Sequence, residues 1–398
     1  MLSPKKSLLA KAFLYLVIFN ILDFGVTLLF ETKVFQMFSI HHLAASDLTL
    51  NDLFYRVQDK KDFEANYRRH EEKIFLINTA ALDGEDFRLQ LSELVDSLMV
   101  YTPKALGIDI TFSNDTSILG SDQISKLATK HKNIVFASSE KGGALELPKN
   151  VKYGNVDFIG EQHSIRFYKG GSETFANQLY KIARGKNSIA ASWESFPILY
   201  SCIHDGLAHL DEIESDRDFS TQFHYVNADE ALENPVALKN YIRNNIVILG
   251  HLGKNEFDVE DKFPVPTDSI DLVNRLPTMY GPVIHANALS NMLDDHFLKE
   301  PPKWLVFVVT NLVMFLMIFL IIKHPLKLYL VLGLTVFSII WICLSIYLME
   351  FNIFIQVGTT LIELLILEEF IETFDPFVVK LRKAFANRNS KKNEKLVK

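Results

Sequence analysis

Cysteine is nearly missing: Cys202 and Cys343 are the 2 cysteines among 398 residues. Cys343 falls inside a long apolar stretch and Cys202 far outside it, so the two cannot pair. That rules out a disulfide framework, and neither thiol has metal-ligand spacing to another Cys or to His. Positive charge is scarce as well. The formal net charge is −7 and the pI near 6.0. The tail Phe377–Lys398 alone carries +7, which leaves −14 for the rest of a −7 chain. An acidic bulk argues against nucleic acid as a partner. Catalytic signatures are also lacking: there is no Walker loop, GxGxxG, HExxH or nucleophile elbow. The expectation is a non-enzyme without a cofactor. No internal repeat or low-complexity segment is visible.

What the chain does have is apolar length. Trp304–Ile322, Leu328–Met349 and Ile353–Leu367 follow one another through the turns Lys323–Lys327 and Glu350–Asn352, and Ala12–Phe30 stands near the N-terminus. About 20 apolar residues cross a hydrocarbon core, so four spans are expected. Lys5, Lys6 and Lys11 precede the first, Lys323 and Lys327 lie between the second and third, and eight Lys or Arg follow the fourth. Short basic flanks stay cytoplasmic, which puts both termini inside and Glu31–Lys303 outside. Ala12–Phe19 also reads as the apolar core of a cleaved signal peptide. Asn20–Phe30 continues it, however, and no small-x-small site stands out, so an uncleaved anchor is the better reading.

The expected domains are 1–30, a cytoplasmic start and first span; 31–303, an extracytoplasmic domain; 304–374, three further spans; and 375–398, a basic cytoplasmic tail. A domain as long as 31–303 builds its own core without disulfides, which fits a bacterial plasma (inner) membrane protein. The tail suits anionic lipid. Its Phe377, Val378, Leu381 and Phe385 fall at the spacing of an interfacial helix, although a retention signal with a frayed end fits equally. Asp23 and Glu363 lie mid-depth in the first and fourth spans, where an unpartnered ionisable group is expensive. Asn20, Thr27, Gln356, Thr359 and Thr360 are candidate partners, so these two spans are expected to pack through polar groups, with a proton path as the alternative.

In the outer domain, Ile74–Asn78, Ala105–Ile110 and Ile134–Ala137 read as buried strands. Phe87–Met99 and Gln123–His131 read as the helices between them. This alternation predicts an α/β fold, a mainly parallel sheet with helices on both faces, beside the four-span helical bundle. Tyr153–Arg166 has turn signals and reads as a β-hairpin. Ser172–Arg184 reads as a helix capped by Ser172 or Thr174. Phe223–Val226 and Ile246–Gly250 read as strands. Trp193–Ser220 offers no clear element. Met279–Leu293 becomes helical in its second half, with Ala286, Leu289 and Leu293 on one stripe.

The run RNNIVILG, the acidic loop DVEDKFPVPT and the segment YGPVIHANALSNML, followed by a short polar linker into apolar spans, resemble the CHASE2 family. GIDITF at Gly107–Phe112 and YGNVDF with SIR add to the resemblance, which covers about Ile74 to Phe374. It implies an extracytoplasmic sensory domain with one N-terminal and three C-terminal spans. The chain departs from the family at Asn78, where an acidic residue is usual, and at Leu82–Phe87, where a WP-rich motif is usual. Many relatives continue into a histidine kinase, cyclase or serine/threonine kinase. Here about 25 residues follow the apolar region, so a separate output partner is expected.

Asp109, His251, Asp258, Asp261 and His285 form the candidate ligand site, with the metal question open. Ligands of open α/β sheets settle at the carboxyl ends of strands. Asp109 and His251 end or follow strands, and carboxylates with imidazole hold a divalent cation or a small polar molecule. The competing reading makes Asp109 and Asp258 caps and His285 a hydrogen-bonded core residue. Pro264, Pro266, Gly281 and Pro282 are read as shaping the backbone.

The function expected is a membrane-anchored receptor. A small extracytoplasmic ligand would shift the strand-end loops, and the spans would pass the signal to a separate cytoplasmic or membrane protein, within a homo-oligomer. A non-catalytic structural subunit of an envelope complex is the main competitor. An envelope hydrolase using Asp109 or His285 is the weakest.

Overall fold

The computed structural model describes residues 4–30, 74–82, 84–113, 115, 117–140, 151–159, 164–200, 207–210, 223–255, 258–266, 277–323 and 327–355. The chain divides into two compact units: Asp52–Lys299, and Met1–Asn51 together with Glu300–Lys398.

In the first unit the strands are β1 (Ile74–Asn78), β2 (Ala105–Asp109), β3 (Ile134–Ser138), β4 (Lys152–Asn155), β5 (Phe167–Lys169), β6 (Ser195–Pro197), β7 (Leu207–His209), β8 (Phe223–Asn227), β9 (Ile246–Gly250), β10 (Lys262–Phe263) and β11 (Met279–Tyr280). Seven of them form one sheet in the order β4-β3-β2-β9-β1-β8-β7, parallel throughout. The helices of this unit are α2 (Phe87–Met99), α3 (Ser121–Lys130), α4 (Phe175–Arg184), α5 (Ala228–Glu233), α6 (Lys239–Ile242) and α7 (Gly281–Leu293).

Strand side chains alternate between two cores, as their period of two requires. Ile74, Leu76, Ile246 and Ile248 join α4 and α7 on one face. Phe75, Ile77, Val247 and Leu249 join α2, α3, α5 and α6 on the other. Burial on both faces is why these strands are continuous apolar runs. Helix α7 is buried along its whole length. Its polar residues are used inside: Asn291 accepts a hydrogen bond from the Leu199 N–H and donates one to the Leu199 carbonyl, both at 2.9 Å. Arg88, buried on α2, donates to the carbonyls of Ser113 (2.9 Å) and Asp115 (3.0 Å), fixing the loop that follows β2.

The expected hairpin at Tyr153–Arg166 is not formed. Lys152–Asn155 runs parallel to β3 at the sheet edge, and Phe167–Lys169 pairs antiparallel with Ser195–Pro197. Gly154 imitates a turn signal, yet it serves a close approach: a β-carbon there would lie 2.4 Å from Phe175 Cα.

The second unit contains α1 (Pro4–Phe30), α8 (Lys303–Lys323) and α9 (Lys327–Glu350). Ala12, Tyr15 and Phe19 pack against Met314, Met317 and Ile318. Between α1 and α8, Asn20 Nδ2 donates to Asn311 Oδ1 at 2.8 Å. A partner of Asn20 is therefore on the second apolar helix; the expected packing of the first span on the fourth falls on residues outside those described. The side chain of Asp23, and Glu363 altogether, lie outside the described residues, as does the tail. Described side chains on these helices run 8–22, 304–320, 322–323 and 335–349, and among the described residues no helix is long and apolar enough to cross a membrane.

Candidate functional site

The carboxyl edge of the sheet is polar at its centre. Register sets Asn78 and Asp109 on either side of Gly250, and Asn227 next to Asn78. β9 comes last in sequence but lies between β1 and β2, so strand order changes direction there. Such a switch point leaves a crevice outside the strand ends.

Asn78 organises the loop that leaves β9. Its Oδ1 accepts from the N–H groups of Leu252 (2.9 Å) and Ala80 (3.0 Å). Its Nδ2 donates to the Gly253 carbonyl (2.8 Å) and to Asn227 Oδ1 (3.0 Å). The chain then turns at Gly253, whose φ is +88° and whose α-carbon has the Tyr280 hydroxyl against it. Tyr280 donates in turn to the Asp258 carbonyl at 3.2 Å.

Two groups of side chains sit on this frame. In the inner group Tyr168 and His285 are buried and the Asp109 side chain is nearly so, while Asp261 is an exposed residue whose carboxyl turns toward Gly281. His285, in the second turn of α7, has Nδ1 2.7 Å from the Tyr168 hydroxyl, whose oxygen also accepts the Ala176 N–H at 3.2 Å. This network assigns the ring proton to Nε2, which faces Asp109 Oδ2 at 3.7 Å. Phe158 stacks on the imidazole at 4.7 Å. Burial pushes the Asp109 carboxyl well up, and the charge of Asp261 adds to it. Asp261 adopts φ +58°, a left-handed conformation Asp tolerates, and its carboxylate abuts Gly281 at the start of α7. Burial, followed by the Glu260 charge, raises it to about 7. Burial also raises the Tyr168 phenol. The Asp109 carboxyl therefore holds its proton well above the usual carboxylate range, beside an imidazole and a phenol that are both neutral at neutral pH.

The outer group lies at the rim. His251 Nε2 is 3.2 Å from Asp258 Oδ2. The Asp258 carboxylate accepts the N–H groups of Lys254 (2.9 Å) and Glu260 (3.0 Å), and these hold it below the usual carboxylate range.

All five residues singled out in the sequence thus lie over one edge of the sheet. Asp109 faces His285, His251 faces Asp258, and Asp261 acts on Asp109 through its charge. The competing reading also describes part of the geometry, since His285 is a hydrogen-bonded core residue and Asp258 caps a turn. Tyr168 and Glu260 were not singled out. Tyr168 is 117 residues from its imidazole partner and sits in a three-residue strand, so no local pattern marks it. Glu260 stands in the acidic loop beside the aspartates that were named.

Burial pushes His285 down to about 3 from an ordinary 6.5. Between those values the unfolded chain binds a proton that the folded chain refuses. Stability is therefore present above about 6.5 and lost as pH falls toward 3. His285→Gln removes this dependence. The stability difference between wild type and His285→Gln, from urea unfolding of the full chain in detergent, should hold constant above about pH 7 and shrink steadily on acidification. A difference independent of pH would mean that the ring accepts a proton where it stands.

A family model described as CHASE2 domain matches residues 26–323. No curated protein matches the chain, and no solved structure does.

Proposed function

Since the chain belongs to the CHASE2 domain family, a family of extracytoplasmic sensory domains, we propose that it is a membrane-anchored, non-enzymatic sensor that passes its signal to a separate cytoplasmic or membrane protein. The observation that carries this reading is the inner group. A carboxyl that burial makes slow to ionise and an uncharged imidazole stand at the strand-order switch, and His285 lies on α7 itself. Nine residues of chain separate Leu293, the end of α7, from Lys303, the start of α8. A displacement of α7 is thereby led along the backbone toward the apolar helices.

Membrane anchoring is supported by the sequence. Counted over the full sequence, which runs past the described side chains, α8 and α9 extend over 21 and 24 residues, the length a core of about 20 needs. Between their terminal lysines or glutamate they carry no charged residue. With Ala12–Phe30 and Ile353–Leu367 they make four spans, with both termini cytoplasmic at the inner membrane and the basic tail against anionic lipid.

The stimulus is a small polar molecule of the extracytoplasmic space. It acts only by binding one arrangement of α7 better than another. The second reading, a structural subunit of an envelope complex, is favoured by the completeness of the inner hydrogen-bond network. Purification from native membranes separates the two. A sensor should show ligand-dependent thermal stabilisation that Asp109→Asn or Tyr168→Phe abolishes. A subunit should come down with a stoichiometric, permanently bound partner and show no such stabilisation. Cysteine labelling in intact cells tests the orientation: a thiol placed at Lys254 should react from outside, and one at Lys391 should not.

A further inference from the structure

We propose that His251, Asp258 and Glu260 bind a divalent transition-metal ion of the zinc class at the rim of the sheet. This site does not depend on the sensor reading.

One ligand atom from each residue lies within 4.8 Å of the others. His251 Nε2 and Asp258 Oδ2 are 3.2 Å apart. Zinc bonds to imidazole nitrogen and carboxylate oxygen at about 2.0–2.2 Å, so two such donors at this separation meet one ion at roughly 100°, within its coordination range. The imidazole coordinates in its Nδ1–H form, leaving the Nε2 lone pair for the ion.

The outer shell is already built. The Lys254 and Glu260 N–H groups aim the Asp258 carboxylate and keep it ionised. Tyr280 holds the backbone of Asp258 through its hydroxyl and packs its ring edge-on to His251 at 6.2 Å. Such outer contacts fix the orientation of ligands. Glu260 is exposed, so its side chain turns onto the ion without disturbing the core. Two carboxylates and one imidazole leave a position open to water. A set with nitrogen and few oxygens favours zinc over calcium, which takes about six to eight oxygens.

The test uses the full chain in detergent, stripped by chelator dialysis. Equilibrium dialysis should find one saturable zinc ion per chain, with thermal stabilisation that calcium does not reproduce. Cobalt in the same site should show visible d–d absorption. His251→Gln and Glu260→Gln should each weaken zinc binding by at least about 10-fold. Glu260→Gln alters an exposed side chain and should leave the metal-free melting temperature unchanged. Zinc binding that is absent, or unaffected by both substitutions, overturns the proposal. Zinc binding without effect on output leaves this site intact and counts against zinc as the sensed ligand.

Discussion

Asn78→Ala lowers stability by about 3–5 kcal/mol, since two backbone N–H groups and one carbonyl lose their partner inside the protein and each orphaned group costs about 1–3 kcal/mol. Asn78 is 4% exposed, and both of its donor hydrogens and both acceptor positions are engaged. Water cannot replace them without opening the ends of β1 and β9. Urea unfolding of the full chain in detergent measures the loss; a change below about 1 kcal/mol would mean that the loop finds other partners. Asn78→Asp is the informative companion. A carboxylate there still accepts from Leu252 and Ala80 but opposes the Gly253 carbonyl, so this variant is expected to be more stable in acid, where its protonated form donates. That contrast would mark Asn78 as a structural fastening of the β9 loop that depends on its amide.

Gly250→Ala is the second large effect. A β-carbon at this position would lie 2.4 Å from Pro282 Cγ and 3.3 Å from Asp109 Cβ. The proline ring cannot swing aside as a flexible side chain would, and β9 is held between β1 and β2. Relief has to come from moving the start of α7. Overpacking of this kind costs about 1–3 kcal/mol and occasionally more, and with two rigid neighbours the upper end is expected. If the shift of α7 also lets water reach His285, the pH dependence described for that ring, which comes from its burial, should shrink along with the stability. Parallel thermal and pH-dependent unfolding checks both. Wild-type stability would show that strand and helix separate freely here, and would remove the basis for coupling the strand ends to α7.

The sheet was legible wherever burial on both faces made a strand uniformly apolar: Ile74–Asn78, Ala105–Asp109, Ile134–Ser138 and Ile246–Gly250 all stand out. Legibility ended at the edge. Lys152–Asn155 is half-exposed and contains glycine, so it imitates a turn. Helix α7 was legible only in its second half, because Gly281 and Pro282 hide its first turn, and it is buried beyond the stripe of Ala286, Leu289 and Leu293. Asn287, Ser290 and Asn291 are buried too, and Asn291 serves the backbone of Leu199. Period reports a wet face only where polar side chains meet water. The five residues named for the site could be placed together because each ends a strand, follows one or lies in the adjoining loop and helix. Tyr168 could not, because its link to His285 is purely tertiary.

The position of β9 has a consequence for how the chain matures. It is the last of the seven sheet strands to emerge from synthesis, but it is the one that joins β1 to β2. Until residues 246–250 arrive, the earlier strands form two half-sheets, each with an open apolar edge able to pair with other chains. Closure must await a contact about 170 residues away in sequence, the kind of long-range pairing that slows folding. Nascent chains stopped short of Ile246 should therefore be the ones that proteases and holdases capture.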